Sequence, residues 1–238
     1  MLPPMASDPA QRLRDFARRT RNAPSEIRAA GGVRPWAFYL SGPLPWVASW
    51  FRKRWAIFKN PHGHVEFRGP VYLGRGFSLH MPHGGTFIVG FGVEFRRGFR
   101  AELGGPEARI EIGDLACFTH EVIMCCDTSI TIGPRAILGQ GCYVVDGNHR
   151  FRDRDMHFLE QGYDYRPITI GEEAIVHSKV TVVNNIGTRA IVGANALISK
   201  PVPPFCVVGG VPARILDYYG PPGEEPPELR DREARGRQ

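Results

Sequence analysis

Aliphatic residues recur at six-residue intervals along this chain. Ile132-Gly133, Leu138-Gly139 and Val144 form one run, and Ile170-Gly171, Val176 and Val182 a second. After a short offset, Ile186-Gly187, Val192-Gly193 and Ile198 form a third. This period matches neither the 3.6 of an amphipathic helix nor the 2 of a hairpin strand. It predicts a parallel β-helix, in which a flat face takes about six residues and three faces make a coil of roughly 18. The inward side chains then stack on those of the next coil, about 4.8 Å away. The Gly that follows many of them is expected to let the chain turn the corner.

The rhythm starts loosely at Val65, Val71 and Phe77 and continues at Phe87, Val93 and Phe99 after a Gly-rich join. Ile110-Glu111-Ile112-Gly113 restarts the frame, with Phe118 and Met124 at six-residue steps. Residues 146–167 break out as a polar loop rich in Asp, Arg and His. In a compact repeat protein, so long a loop is usually functional. The organisation read from the pattern is all-β, with a basic, Trp-rich helical or irregular extension or cap over 1–60. A parallel β-helix domain follows over 61–219 with the loop 146–167 inserted, and a Pro-, Glu- and Arg-rich tail over 220–238 is expected to be disordered. Within the extension, Pro9 to Arg21 reads as a short basic helix with Asp8 as its N-cap. Residues 46–57 place three tryptophans beside three cations. Such a segment suits either peripheral contact with a membrane interface or a helix packed over the open first coil, because β-helices cover their apolar ends.

At 238 residues and 42% hydrophobic content the chain can bury a substantial core, and no run of 18 apolar residues is present. The start, Met1-Leu2-Pro3-Pro4-Met5, lacks the charged flank and apolar run of a secretory signal, so a cytoplasmic protein is expected, with the inner membrane face as the alternative for the extension. Five cysteines without a Cys-x-x-Cys pair argue against a disulfide scaffold and a zinc ribbon, and for small buried fillers. The net charge is +6. With no nucleic-acid module and no base-stacking spacing of aromatics, no nucleic-acid partner is expected, and no metal.

Three segments carry a resemblance: Ile168-Thr169-Ile170-Gly171-Glu172, the run Ala190 to Lys200, and the ending Gly210-Val211-Pro212-Ala213-Arg214. Over roughly residues 105–217 the chain resembles the hexapeptide-repeat acyltransferases, nearest the branch of maltose, galactoside and polysaccharide O-acetyltransferases. Asp146-Gly147-Asn148-His149, with Glu160-Gln161-Gly162, is similar to the polysaccharide-modifying members. One departure is Ile175-Val176-His177-Ser178, where the family often has Trp-Ile-Gly-Ala. The resemblance implies a left-handed parallel β-helix, a homotrimer with sites between adjacent prisms, and acetyl-CoA as acyl donor.

Acyl transfer to a hydroxyl needs a base, and a neutral imidazole can take that proton. His149 lies at the root of the loop, just past the last inward residue of its coil. The resemblance places the catalytic histidine there; otherwise it is an ordinary surface-loop histidine. Asp146 and Asn148 either contact the acceptor or shape the loop. Glu121 either orients a neighbouring subunit's imidazole or is a solvated strand edge. By position in the family, Ser178, Ala194, Ser199, Lys200 and Arg214 line the acetyl-CoA groove, with the two cations meeting phosphates. The implied activity is acetyl transfer from acetyl-CoA to a saccharide hydroxyl, with a cell-surface polysaccharide or its precursor as the expected acceptor. The other readings are N-acetylation of an amino sugar and an inactive assembly scaffold. A metal-dependent carbonic anhydrase on the same prism would need paired histidines that are missing.

Overall fold

The computed structural model describes residues 43–230. The expected helix over Pro9–Arg21 and residues 231–238 therefore lie outside the described residues. The rest is a left-handed parallel β-helix of three faces. On the first face Phe67, Val89, Ile112, Ile132 and Ile170 stack in parallel register, continued by bridges to Ile186 and Val202. The second face stacks Leu73, Phe95, Phe118, Leu138, Val176, Val192 and Val208. Leu79, Ala101, Met124, Val144, Val182 and Ile198 make the third.

These registers correct the uniform coil of 18. The step from first to second face is always six residues, and so is the step from second to third. From third back to first it is ten (Leu79 to Val89), 11 (Ala101 to Ile112), eight (Met124 to Ile132), 26 (Val144 to Ile170), then four (Val182 to Ile186 and Ile198 to Val202). Every insertion and deletion falls on this third edge. The weak hexads before residue 105 are complete coils whose frame is reset there.

The role of the corner glycines also needs correction. The left-handed residue that turns a regular corner sits three positions past the inward residue, and it need not be Gly. Leu115, Arg135, Glu173, Arg189 and Phe205 fill it on the first edge, and Glu121, Lys179 and Asn195 on the second, all with φ between 56° and 61°. That backbone costs a non-Gly residue about 1–2 kcal/mol. It persists because the ladders on both sides of the corner determine it. The Gly directly after the inward residue serves close approach instead. A Cβ on Gly133 would lie 2.4 Å from the Glu172 nitrogen, and one on Gly171 2.4 Å from the Thr188 nitrogen.

The core narrows along the axis. Phe87, Phe95, Phe99 and Phe118 are fully buried in the early coils, with Phe77 stacked on Phe99. The late coils are filled by Ala190, Val192, Ala196 and Ile198. Three cysteines (Cys126, Cys142 and Cys206) are buried among these fillers and two are half-buried, all as free thiols. The N-terminal end is covered by the helix Pro43–Lys59. Ser49 Oγ donates to Val71 O and accepts from Leu73 N, Arg52 donates to Leu73 O, and Asn60 bonds Leu79 O and Met81 N. Backbone groups that would have faced a preceding coil are thereby satisfied. At the other end the strand Ala213–Tyr218 pairs antiparallel with Cys206–Gly210 and closes the last coil. Of the tail expected to be disordered, residues 220–230 fold back: Pro226 is buried, Tyr218 Oη donates to Pro221 O, and Arg230 donates to Gly223 O.

Candidate active site

The long loop leaves the third edge as a hairpin. Gly147–His149 runs antiparallel to Tyr163–Tyr165, pairing His149 with Tyr163 and Gly147 with Tyr165. Arg150 N donates to Gly162 O at 3.0 Å, and Arg166 N to Asp146 O at 2.7 Å. A Cβ on Gly147 would meet the Tyr165 ring at 3.0 Å, so the glycine lets that ring lie over the strand. His149 is half-buried, its ring centroid 4.3 Å from Tyr163 and 5.8 Å, edge-on, from Phe158. Its Nδ1 is buried and has no hydrogen-bond partner among the described residues. Two aromatic walls thus fix the imidazole without engaging its polar atoms.

Asp146 lies beneath the hairpin, 3% exposed. Its Oδ1 accepts from Asp127 N at 2.8 Å, and its Oδ2 from Thr128 N, Thr128 Oγ1 and Ser129 N at 2.8–2.9 Å. The carboxylate therefore closes the corner of the preceding coil, which favours the loop-shaping alternative for this residue. Burial, reinforced by the Asp146 charge, raises the Asp127 carboxyl above its ordinary range. Burial also raises the Cys125 and Cys126 thiols. Thiols held protonated are poor nucleophiles, so a covalent acyl-cysteine route is disfavoured here.

Asn148 is exposed opposite Asp164, and an Arg150–Asp164 ion pair of 2.7 Å ties the two hairpin strands at the surface. Further out, Gln161 bonds Asp153 N, Asp153 O and Met156 O through its amide and holds the loop in a closed turn. A cleft of about 430 Å³ opens there between Arg150, Phe151, Arg152, Met156 and Asp164.

The other predicted site residues divide between two edges. Ser199 and Lys200 are exposed on the third edge, shared with His149, where Asn184 Nδ2 donates to Ser199 O at 3.1 Å. Ser178 and Ala194 are exposed on the second edge. Arg214 joins them there, paired with Gly209 in the closing strand. Small residues at this edge (Ser178, Ala194, Gly209) leave a strip of little side-chain bulk, a candidate slot, along the late coils. The first edge is bulky by contrast, threaded by ion pairs linking Arg135, Glu172, Glu173 and Arg189. Within one chain the outer surface of the third face separates the slot from His149. Glu121 also lies on the second edge, exposed and paired with Arg97 at 3.3 Å. It is not near His149 of its own chain. Sequence reasoning missed Tyr163 and Phe158, which come from the far end of the loop. The alternating Tyr163-Asp164-Tyr165, set against Gly147-Asn148-His149, was the available hairpin signal.

No protein-family profile matches the chain. Over 191 residues it is 26% identical to a probable acetyltransferase of Mycobacterium tuberculosis, covering 75% of this chain and 63% of that protein. Over 93 residues it is 29% identical to the galactoside O-acetyltransferase of Escherichia coli, covering 38% and 44%. The chain thus spans less than two thirds of the length of either relative. Among solved structures it is similar to a hexapeptide-repeat-containing acetyltransferase of Vibrio cholerae complexed with acetyl-CoA, with a TM-score of 0.50 at 25% identity, covering 72% of this chain and 79% of that one. An N-acyltransferase of Bacillus cereus in complex with dTDP and 3-hydroxybutyryl-CoA shares the fold, with a TM-score of 0.51 at 12% identity over 76% and 94%.

Proposed function

Because the chain belongs to the hexapeptide-repeat acetyltransferase family, we propose that it transfers the acetyl group of acetyl-CoA to a saccharide hydroxyl, with His149 as general base. The observation that carries this reading is the imidazole clamped between Tyr163 and Phe158 at the root of the only long loop among the described residues. A sugar hydroxyl is scarcely ionised at neutral pH. As its oxygen bonds to the thioester carbonyl carbon, His149 takes the proton. The C–S bond then breaks, and the imidazolium returns the proton to the departing sulfur. With Nδ1 buried, Nε2 is the nitrogen left to act. Asp146 holds the corner below the base, and Asn148 offers the acceptor an exposed amide.

The donor's extended arm fits the slot of Ser178, Ala194 and Gly209, and Arg214 and Lys200 supply cations for its phosphates. Slot and base lie on different edges of one prism, so a complete site joins the second edge of one copy to the third edge of another in a cytoplasmic homotrimer. Supporting this assembly, the outer surface of the second face carries Ile137, Ile175, Ile191 and Val207, and that of the third carries Ile123, Tyr143 and Leu197. The first face presents Glu66, Glu111, Thr131 and Thr169 outward.

The test pairs a thermal-shift titration with acetyl-CoA and an assay of CoA release over saccharide and amino-sugar acceptors. His149→Ala should keep the acetyl-CoA shift and lose about 10²- to 10⁴-fold in transfer. Lys200→Ala and Arg214→Ala should weaken the shift itself. Undiminished transfer by His149→Ala would overturn the mechanism. Turnover with amino sugars alone would replace the hydroxyl acceptor with an amine.

A further inference from the structure

The helix Pro43–Lys59 is amphipathic with its polarity reversed relative to the usual arrangement at a protein surface. The side facing the prism carries Ser49, Arg52, Ala56 and, just beyond the helix end, Asn60. Three of these act through hydrogen bonds to the first coil, and Trp46 adds an edge-on contact to Tyr72. The side facing away carries Val47, Trp50, Phe51, Trp55, Ile57 and Phe58, with Phe51 62%, Trp55 60% and Phe58 73% exposed. No acidic residue occurs in the helix, and Arg52, Lys53, Arg54 and Lys59 are basic. Arg54 lies among the outward apolar residues with its guanidinium 5.3 Å from the Trp50 ring, and the Lys59 ammonium is 5.9 Å from the Trp55 ring.

We infer that this outward face docks the protein on an anionic lipid bilayer, with the aromatic side chains at the level of the acyl boundary and the cations among the headgroups. Two requirements of an interfacial helix meet here, a broad Trp/Phe face and flanking positive charge without acids. The helix is not long and apolar enough to cross a membrane, so it would lie in the plane of the interface. A second copy is a poorer occupant. In a two-fold contact centred on this face, Arg54 of each copy would meet its counterpart with no acid on either helix to pair it. The inference is independent of the acyl-transfer reading, since the helix sits at the opposite end of the prism from the late-coil slot.

The experiment is co-sedimentation of the full chain with vesicles of phosphatidylcholine alone and of phosphatidylcholine with phosphatidylglycerol. Binding should require the anionic lipid and weaken with salt. The triple variant Phe51→Ser, Trp55→Ser, Phe58→Ser should lose at least about tenfold in partitioning. Arg54→Gln and Lys59→Gln should each lose about fivefold. These side chains point away from the prism, so the melting temperature should hold, and measuring it separates lost binding from lost folding. The variants Arg54→Gln and Lys59→Gln keep the apolar face and remain a test if the triple variant fails to fold. Absence of binding to anionic vesicles, or equal binding by these variants, overturns the inference. So does a change in oligomeric state on aromatic substitution without loss of vesicle binding, which would assign the face to a second copy.

Discussion

Along the first and second edges of the prism, the coils turn in the same way once past the first corner, where Pro70 stands. The inward residue is followed by a close-packed position, and a left-handed residue three places on sends the chain into the next face. Along the third edge the step varies from four residues to 26, and side chains specific to each coil close the turn. Asp146 gathers the 127–129 amides, Asn184 and Asn185 bond Ser199 O and Thr169 N, and Asn60 bonds Met81 N. Two edges therefore hold the register, and the third is free to vary without disturbing it. His149, Asn148, Ser199 and Lys200 all sit on the edge that varies. The proposed chemistry therefore lies where length costs least, because lengthening a surface loop adds only slowly to its closure entropy.

The most severe way to break this contrast is to change length on a regular edge. Deleting Gln140, between Leu138 and Val144, would turn Val144 outward and Tyr143 into the core. We expect a loss of about 4 kcal/mol or more in urea denaturation, whereas one Gly inserted beside Gly105 on the third edge should change stability by less than about 1 kcal/mol. Equal losses would refute the division. Next in size, Asp146→Asn replaces an acceptor oxygen with an amide facing backbone donors. A cost of about 2–3 kcal/mol is expected, with faster hydrogen exchange confined to residues 126–129. Smaller again is a glycine pair. Gly133→Ala forces a Cβ against the Glu172 nitrogen and should cost about 1–3 kcal/mol. Gly105→Ala meets nothing within 4 Å and should be neutral or stabilising by up to about 1 kcal/mol. Opposite signs in a thermal melt would sharpen the contrast to a single methyl group.

The same contrast explains what could be read before the structure. Ile132, Leu138 and Val144 were visible as a ladder because their edges keep the six-residue step. The early coils looked degenerate because ten- and 11-residue returns interrupt the count. The position of His149 was legible; its aromatic walls were not, since Tyr163 and Phe158 arrive through antiparallel pairing across a loop without periodicity. The local pattern suggests conformational freedom for the corner glycines, whereas their need is proximity to the next coil, a property of neighbours some 16 to 38 residues distant that no local pattern carries. Residues 46–57 offered a cap or a membrane contact as alternatives. The cap is made by hydrogen bonds and by Trp46 against Tyr72, and among the described residues nothing covers Phe51, Trp55 or Phe58, so a cap does not exclude a membrane contact.

The exchange of phenylalanine for alanine and valine along the axis makes successive layers of the core unequal in volume. Each layer of the core has a volume that only its own perimeter accepts. Sliding the chain by one coil would press the ring of Phe118 into the seat of Leu138 and that of Phe99 into the seat of Val122, or leave voids in the wider layers. Both errors are penalised. Identical repeats would permit such slippage and end-to-end growth. Here the taper assigns each coil one seat and gives the stack a direction.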